Sequence, residues 1–387
     1  MEAYLDNAAT TRPFKEVWDI MKKTMEEDYG NPSSLHKKGM EAENYLRNTR
    51  TVIAESLKVK EKEIVITSGG TESNNMALIG GAFANQRSGK HIITTRIEHA
   101  SVYNPLLFLE KQGFRITFLP VDNNGHVDLE ELKNALCEET ILVSIMHVNN
   151  EMGAVEDLQT IGEIIRAYNP EILFHVDAIQ SFGKFKIYPK QLGVHMLSVS
   201  GHKIHGPKGV GFLYIQDKTK VLPLIHGGGQ QKGMRSGTEN VPGIAGLGKA
   251  VELIYENHAD KIANMYCLKE YFVEEISRIE GVKVNGLAGI DVRDTAPHVV
   301  SVSFKGIRSE VLLHALEEKG VYVSSGSACS SNHPSISGTL RAIGVDNDLL
   351  DSTLRFSFSV NTTKEELAYA MEQVKELLPM LRRFTRR

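Results

Sequence analysis

Met196-Leu197-Ser198-Val199-Ser200-Gly201-His202-Lys203, followed closely by Gly206-Pro207-Lys208-Gly209, is the stretch on which the fold turns. Its apolar half reads as a strand ending at Ser200. Lys203 then stands just past the carboxyl end of that strand, where open α/β sheets bind ligands. A hydroxyl, an imidazole and a backbone freed by glycine lie beside its amine. That set suits a Schiff base with an aldehyde. It also suits a solvated lysine in a Gly-Pro turn, and this stretch alone does not choose.

Outward from it, short apolar runs recur at 64–67, 92–95, 116–119, 141–146, 172–176 and 210–215. Most lack strict alternation, as strands covered on both faces do. Helical patterns lie between several of them, at 71–84 and 159–167 for example. The order predicts a doubly wound α/β unit with a mixed, mostly parallel seven-stranded sheet. Only a tight Gly-rich loop separates 196–200 from 210–215, so that pair is expected to be antiparallel. After about Asn257 the pattern changes. A long amphipathic stretch at 262–279 leads to strands at 282–285 and 298–304, a helix at 310–319, strands at 321–323 and 354–359, and a last helix at 364–382. That order predicts a smaller α+β unit. The expected division is 15–257 for the large domain, with 1–14 and 258–387 forming the small one.

Composition narrows the classes. The 387 residues are 41% hydrophobic and 24% charged, values of an ordinary globular chain. With 44 basic and 48 acidic residues the net charge is −4, which offers no global field for nucleic acid. The basic tail Arg382-Arg383-Phe384-Thr385-Arg386-Arg387 reads as a solvated helix end. No apolar run approaches the roughly 18 residues of a membrane span. Met1 to Asp6 lead straight into strand-like sequence, so no signal or transit peptide is expected, and the cytoplasm is the expected compartment. Three scattered cysteines make neither a disulfide framework nor a metal site.

Three further constellations fall at or near strand ends. Thr67-Ser68-Gly69-Gly70-Thr71-Glu72 opens a helix, and its free N–H groups and hydroxyls suit a phosphate; a plain helix cap by Thr71 or Ser68 is the alternative. Glu98-His99 follows the 92–95 strand and puts an imidazole where it can stack on a ring or move a proton. In His175-Val176-Asp177-Ala178-Ile179-Gln180, Asp177 ends an apolar strand, a costly place for a carboxylate without a cation; a helix N-cap is again the alternative. An anion cradle, an imidazole, a carboxylate and an amine on successive strands match the needs of pyridoxal 5′-phosphate. The phosphate needs donors, the pyridine nitrogen an acid partner and the aldehyde a lysine.

Read with these, the chain resembles the cysteine desulfurases of the NifS/IscS family, within the fold type I pyridoxal-phosphate enzymes. The likeness runs nearly end to end. It is carried by Leu5-Asp6-Asn7-Ala8-Ala9-Thr10-Thr11, Tyr29-Gly30-Asn31-Pro32-Ser33-Ser34, the run 67–75, Glu98-His99 and His147-Val148-Asn149-Asn150-Glu151. It continues through 175–180, 200–211, 226–238, 324–331 and Arg355-Phe356-Ser357. The resemblance implies that Lys203 holds the cofactor covalently, Asp177 pairs with its ring nitrogen, and Gln180 with Asn150 contacts its ring hydroxyl side. It implies that His99 stacks on the ring, and that Gly70, Thr71, Ser200 and His202 bind the phosphate with Thr238 of a second subunit. Arg355 would clamp the substrate carboxylate, with Asn150 and Asn7 as further substrate contacts. A homodimer with composite sites follows from the 226–238 segment.

Cys329 selects the reaction. It lies in the small, polar run Ser324-Ser325-Gly326-Ser327-Ala328-Cys329-Ser330-Ser331-Asn332, expected to be a loop over about 324–338. Cys137 and Cys267 sit in helical patterns and read as packing residues. The resemblance implies conversion of L-cysteine to L-alanine, the sulfur passing to Cys329 as a persulfide and then to an acceptor such as a NifU/IscU-type iron–sulfur scaffold. A free thiol titrates near about 8.5, so some base must help form the thiolate, and His99 is one candidate. Twenty-six positions separate Cys329 from Arg355, as in the longer-loop group of the family. Ser330 and Gly70 depart from the residues usual there. A selenocysteine lyase or a cysteine-sulfinate desulfinase remains the alternative reaction, and a binding protein without activity the alternative class.

Overall fold

A computed structural model describes residues 1–325 and 337–384. Cys329 and most of the expected 324–338 loop lie outside them, as do Arg386 and Arg387 of the tail. The chain opens with the two-residue strand β1 (Ala3–Tyr4). Seven strands then form one sheet: β2 (Ile64–Thr67), β3 (His91–Thr95), β4 (Arg115–Leu119), β5 (Thr140–Met146), β6 (Leu173–Asp177), β7 (Met196–Ser200) and β8 (Gly211–Ile215). Their order is β2-β8-β7-β6-β5-β3-β4. Every residue of β2, β3, β5, β6 and β7 is buried, because helices cover both faces. The edge strand β4 is partly open, and Ile215 at the end of β8 is half-buried.

All neighbours from β4 through β7 are parallel, and β8 runs antiparallel to both β7 and β2. The turn 201–210 is too short for a helical crossover, so the chain must reverse there. β2, β3, β5, β6 and β7 therefore all end at one edge. The pairing is close at Gly211, where a Cβ would lie 2.4 Å from the Val199 carbonyl oxygen and 2.8 Å from Gly69 Cα. No other residue fits there.

Beyond the helices Val241–Tyr255 and His258–Ser277 the chain forms β9 (Val282–Asn285), β10 (Val299–Phe304), β11 (Val321–Tyr322), β12 (Ser324–Ser325) and β13 (Thr353–Ser357). Four of these make an antiparallel sheet in the order β12-β13-β10-β9. Ser324 and Ser325, expected in the loop, instead form β12 and pair with Arg355 and Leu354. At its far end Ser337 caps the short helix Gly338–Ala342. Phe272, Phe304, Phe356 and Phe358 fill the core of this sheet. Ala3 and Leu5 join that core, and β1 pairs in parallel with β11. The N-terminal segment then runs on to the carboxyl edge of the large sheet, where the backbone N–H and hydroxyl of Thr11 both donate to the His202 carbonyl at 2.9 Å.

Candidate active site

A cavity of about 260 Å³ opens at that edge. It is lined by Gly70, Thr71, His99, Asn150, Asp177, Gln180, Ser200, His202, Lys203 and Arg355, together with Ala8, Ala9 and Ser101. Ten sequence-predicted residues thus meet in one place, although they span almost the whole chain.

Each is set by its local backbone. Lys203 lies in the single 3₁₀ turn after β7, and its Nζ donates to the carbonyls of Ala8 and Ala9 at 2.5 and 2.7 Å. Asp177 belongs to β6 itself, paired with Met146 and Ser198, and no helix follows it. The helix-cap alternative is therefore closed. Its carboxylate accepts from the Ile179 N–H at 2.9 Å and from Asn74 Nδ2 at 2.8 Å. Burial pushes the Asp177 carboxyl above its usual range, opposed by the Ile179 N–H, the His99 ring, Asn74 and Lys203. A buried carboxylate in this condition calls for a cation.

His99 is the N-cap of the helix Ala100–Lys111. Its Nδ1 accepts from the Ser101 N–H at 3.1 Å, which leaves the proton of the neutral ring on Nε2. Preceding it, Glu98 is enclosed. Its Oε1 accepts from the Met146 N–H and the Thr95 hydroxyl, and burial with the nearby Asp177 pushes it up to about 8.

The helix that begins at Gly70 has Gly69 as its N-cap and no side-chain cap, so neither Thr71 nor Ser68 consumes the first N–H groups. That helix continues through a π-turn at Met76–Gly80 to Asn85. A Cβ at Gly70 would lie 2.2 Å from Ile179 Cδ1, so a side chain there would require the Ile179 side chain to shift. Burial and the charges of Lys203, Lys208 and Lys184 bring His202 down to about 4.

Arg355, on β13, is 4% exposed. Its Nη2 donates to Asp6 Oδ1 and its Nη1 to the Asn150 carbonyl, both at 2.9 Å, while Nε is buried without a partner among the described residues. Its strand partner Ser324 stands five residues before Cys329.

Of the residues predicted for this chain's own site, Asn7 departs from its expected place. Asn7 does not line the cavity: its amide donates to the carbonyls of Tyr4 and Ser357 at 2.9 and 3.0 Å. Gln180 lines it, yet its amide already bridges Ala8 O at 3.0 Å and His298 Nε2 at 3.1 Å. Thr238 is exposed and away from the cavity of its own chain. Asn74, Asp6 and Glu98 were missed. Asn74 and Glu98 sit in patterns where a polar residue has many ordinary uses, and the Asp6 partner lies 349 positions away.

The donor set fits pyridoxal phosphate: an uncapped helix start walled by glycine, a buried acid and a lysine amine around one enclosed volume. The fold and site define a fold type I pyridoxal-phosphate enzyme. The chain belongs to the class-V aminotransferase family, whose profile matches residues 3–369. Among its relatives, cysteine desulfurase IscS of Dictyoglomus turgidum is 46% identical over 98% of this chain and 95% of that protein. A solved NifS-like protein is 38% identical, with a TM-score of 0.92 over 98% of this chain and all of that one. The solved structure of SspA in complex with cysteine is 34% identical, with a TM-score of 0.78 over 93% of this chain and 100% of that one.

Proposed function

We infer that this protein is a pyridoxal-phosphate-dependent cysteine desulfurase that converts L-cysteine to L-alanine and passes the sulfur to Cys329. The observation that carries the reading is the cavity that joins Lys203, Asp177 and His99 to Arg355, one strand away from the segment leading to Cys329. When bound, the cofactor supplies an electron sink for charge developing at the substrate α-carbon.

The residues then divide the work. Gly70, Thr71, Ser200 and His202 would hold the phosphate, Asp177 would pair with the ring nitrogen, and His99 would stack on the ring. Arg355 binds the substrate carboxylate, a task for a planar guanidinium. Lys203 Nζ takes the α-proton. Cys329, as thiolate, attacks the substrate sulfur; the carbon–sulfur bond breaks as the sulfur–sulfur bond forms, the β-carbon keeps that electron pair and takes the proton the substrate thiol gives up, Lys203 returns the α-proton, and L-alanine leaves.

The reading extends to a homodimer in which Thr238 of one subunit completes the phosphate site of the other. Its exposure, and that of His226, supports this. A NifU/IscU-type scaffold is the proposed acceptor, and the cytoplasm, where thiols stay reduced, the proposed setting. Among the described residues no helix is long and apolar enough to cross a membrane. The proposed domains are 15–257, and 1–14 with 258–387. The test is intact mass after incubation with pyridoxal phosphate and L-cysteine without reductant. A sulfur adduct on Cys329 with release of alanine is expected; alanine without an adduct would overturn the Cys329 step.

A further inference from the structure

One buried cation has no part in these steps. Lys184 follows the turn after β6, and its residue is 8% exposed. Its Nζ donates to the backbone carbonyl of Lys203 at 2.6 Å. Both lysines line a small void of about 10 Å³ behind the main cavity, with Asn7, His205 and His298. Burial and the charge of Lys203 bring Lys184 down to about 7.

Among the described residues, the two amines repel each other, and other charged and titratable groups stand around them. His202 and His205 after β7, and His298 before β10, are kept neutral by burial. Arg355 adds positive charge, and Asp6 is already bonded to it. Near the ends of β6 and β3 stand Asp177, raised by burial and lowered by His99 and Lys203, and the enclosed Glu98 beside it, while Glu151 faces Arg355 and His99. Two lysine amines thus line one small void, and Asp177, in the main cavity beside Lys203, is proposed to serve the cofactor.

We propose that Lys184 is a positioning residue for Lys203: it fixes the Lys203 carbonyl and, as a like charge behind the amine, drives the proton off it. A lysine can receive the α-proton only when it is unprotonated, and a second cation beside it is one way to reach that state near neutral pH. Amines coupled this way titrate as a pair. The inference rests on the desulfurase reading.

The test is a pH titration of the absorption of the lysine-linked cofactor in full-length holoenzyme. It compares wild type with Lys184→Met, Lys184→Arg and, as a control on the exposed neighbour, Lys186→Met. Removing the charge should raise the midpoint by about one unit, tenfold in proton affinity. Arginine does not titrate in this range, so Lys184→Arg should lower the midpoint, and Lys186→Met should leave it in place. If Lys184→Met does not fold, Lys184→Gln keeps a donor and loses the charge. If neither folds, Lys184→Arg decides, and a midpoint unmoved or raised overturns the proposal. A wild-type protein without the band overturns the desulfurase reading and this inference with it. A normal band whose midpoint ignores Lys184 overturns the inference alone.

Discussion

The two walls of the cavity are built on different terms. One is the carboxyl edge of the seven-stranded sheet, where Asp177 is held by strand pairing on both sides and Lys203 sits one turn past a fully buried strand. The other comes from the N-terminal segment and β13, where Arg355 is held by one carboxylate and one carbonyl. The first wall leaves little to adjust, since its strands are covered on both faces and packed at native density. The second depends on a few polar contacts between segments far apart in the chain. On the proposed function, the shared chemistry of the cofactor falls to the rigid wall and the choice of substrate and reaction to the other.

Four outcomes would sharpen or break that division. Lys203→Ala should remove the lysine-linked absorption and lower turnover by about 10³-fold or more, read by spectrum and alanine release; a surviving band would sink the rigid-wall assignment. Cys329→Ala should lower alanine formation by a similar factor while leaving the band unchanged. A variant that keeps turning over L-cysteine would mean that Cys329 does not choose the reaction. Arg355→Gln should raise KM for L-cysteine by about 10- to 100-fold, because a charge-assisted hydrogen bond is worth about 1.5–3 kcal/mol, with kcat changed far less. An equal fall in kcat with unchanged KM would put Arg355 in the chemistry rather than in binding.

Stability gives the mildest contrast. His175 is wholly enclosed in β6, bonded to the hydroxyls of Ser144 and Ser198, and burial brings it down to about 3. In the unfolded chain it titrates near 6.5, so its folded pKa is the lower of the two. The stabilisation from keeping it neutral is full above pH 6.5 and is lost as pH falls from there toward about 3. Urea midpoints should therefore drop between pH 7 and pH 5, and drop less in His175→Gln. A variant with the wild-type acid slope would show that other buried histidines, such as His91 and His147 at about 4, dominate that limb.

How much of this was legible depended on how local the cause is. The seven strands of the large sheet were readable to within a residue or two, since a strand buried on both faces is written as a short apolar run. Their shared edge was readable too, because a strand that must reverse after Ser200 fixes the direction of β8. Asp177 and Thr71 were readable as polar residues at strand and helix ends, but the helix-cap alternative for each was closed only by the fold. β12 itself, where a loop was expected, was not readable, since Ser324 and Ser325 carry no apolar signal and their pairing is with β13. Asn7 was quoted for a site role, yet its amide is bound to backbone.

By itself the sequence determined the class of chemistry, because each element of the cofactor site is a side chain on a locally readable strand end. Only the tertiary structure decided what those side chains touch. Asp6 against Arg355, Gln180 against His298 and Lys184 beneath Lys203 are pairs made by strand order and by the return of the N-terminal segment. Contacts of that kind depend on which distant segments the packed core brings together, and no local pattern of residues records them.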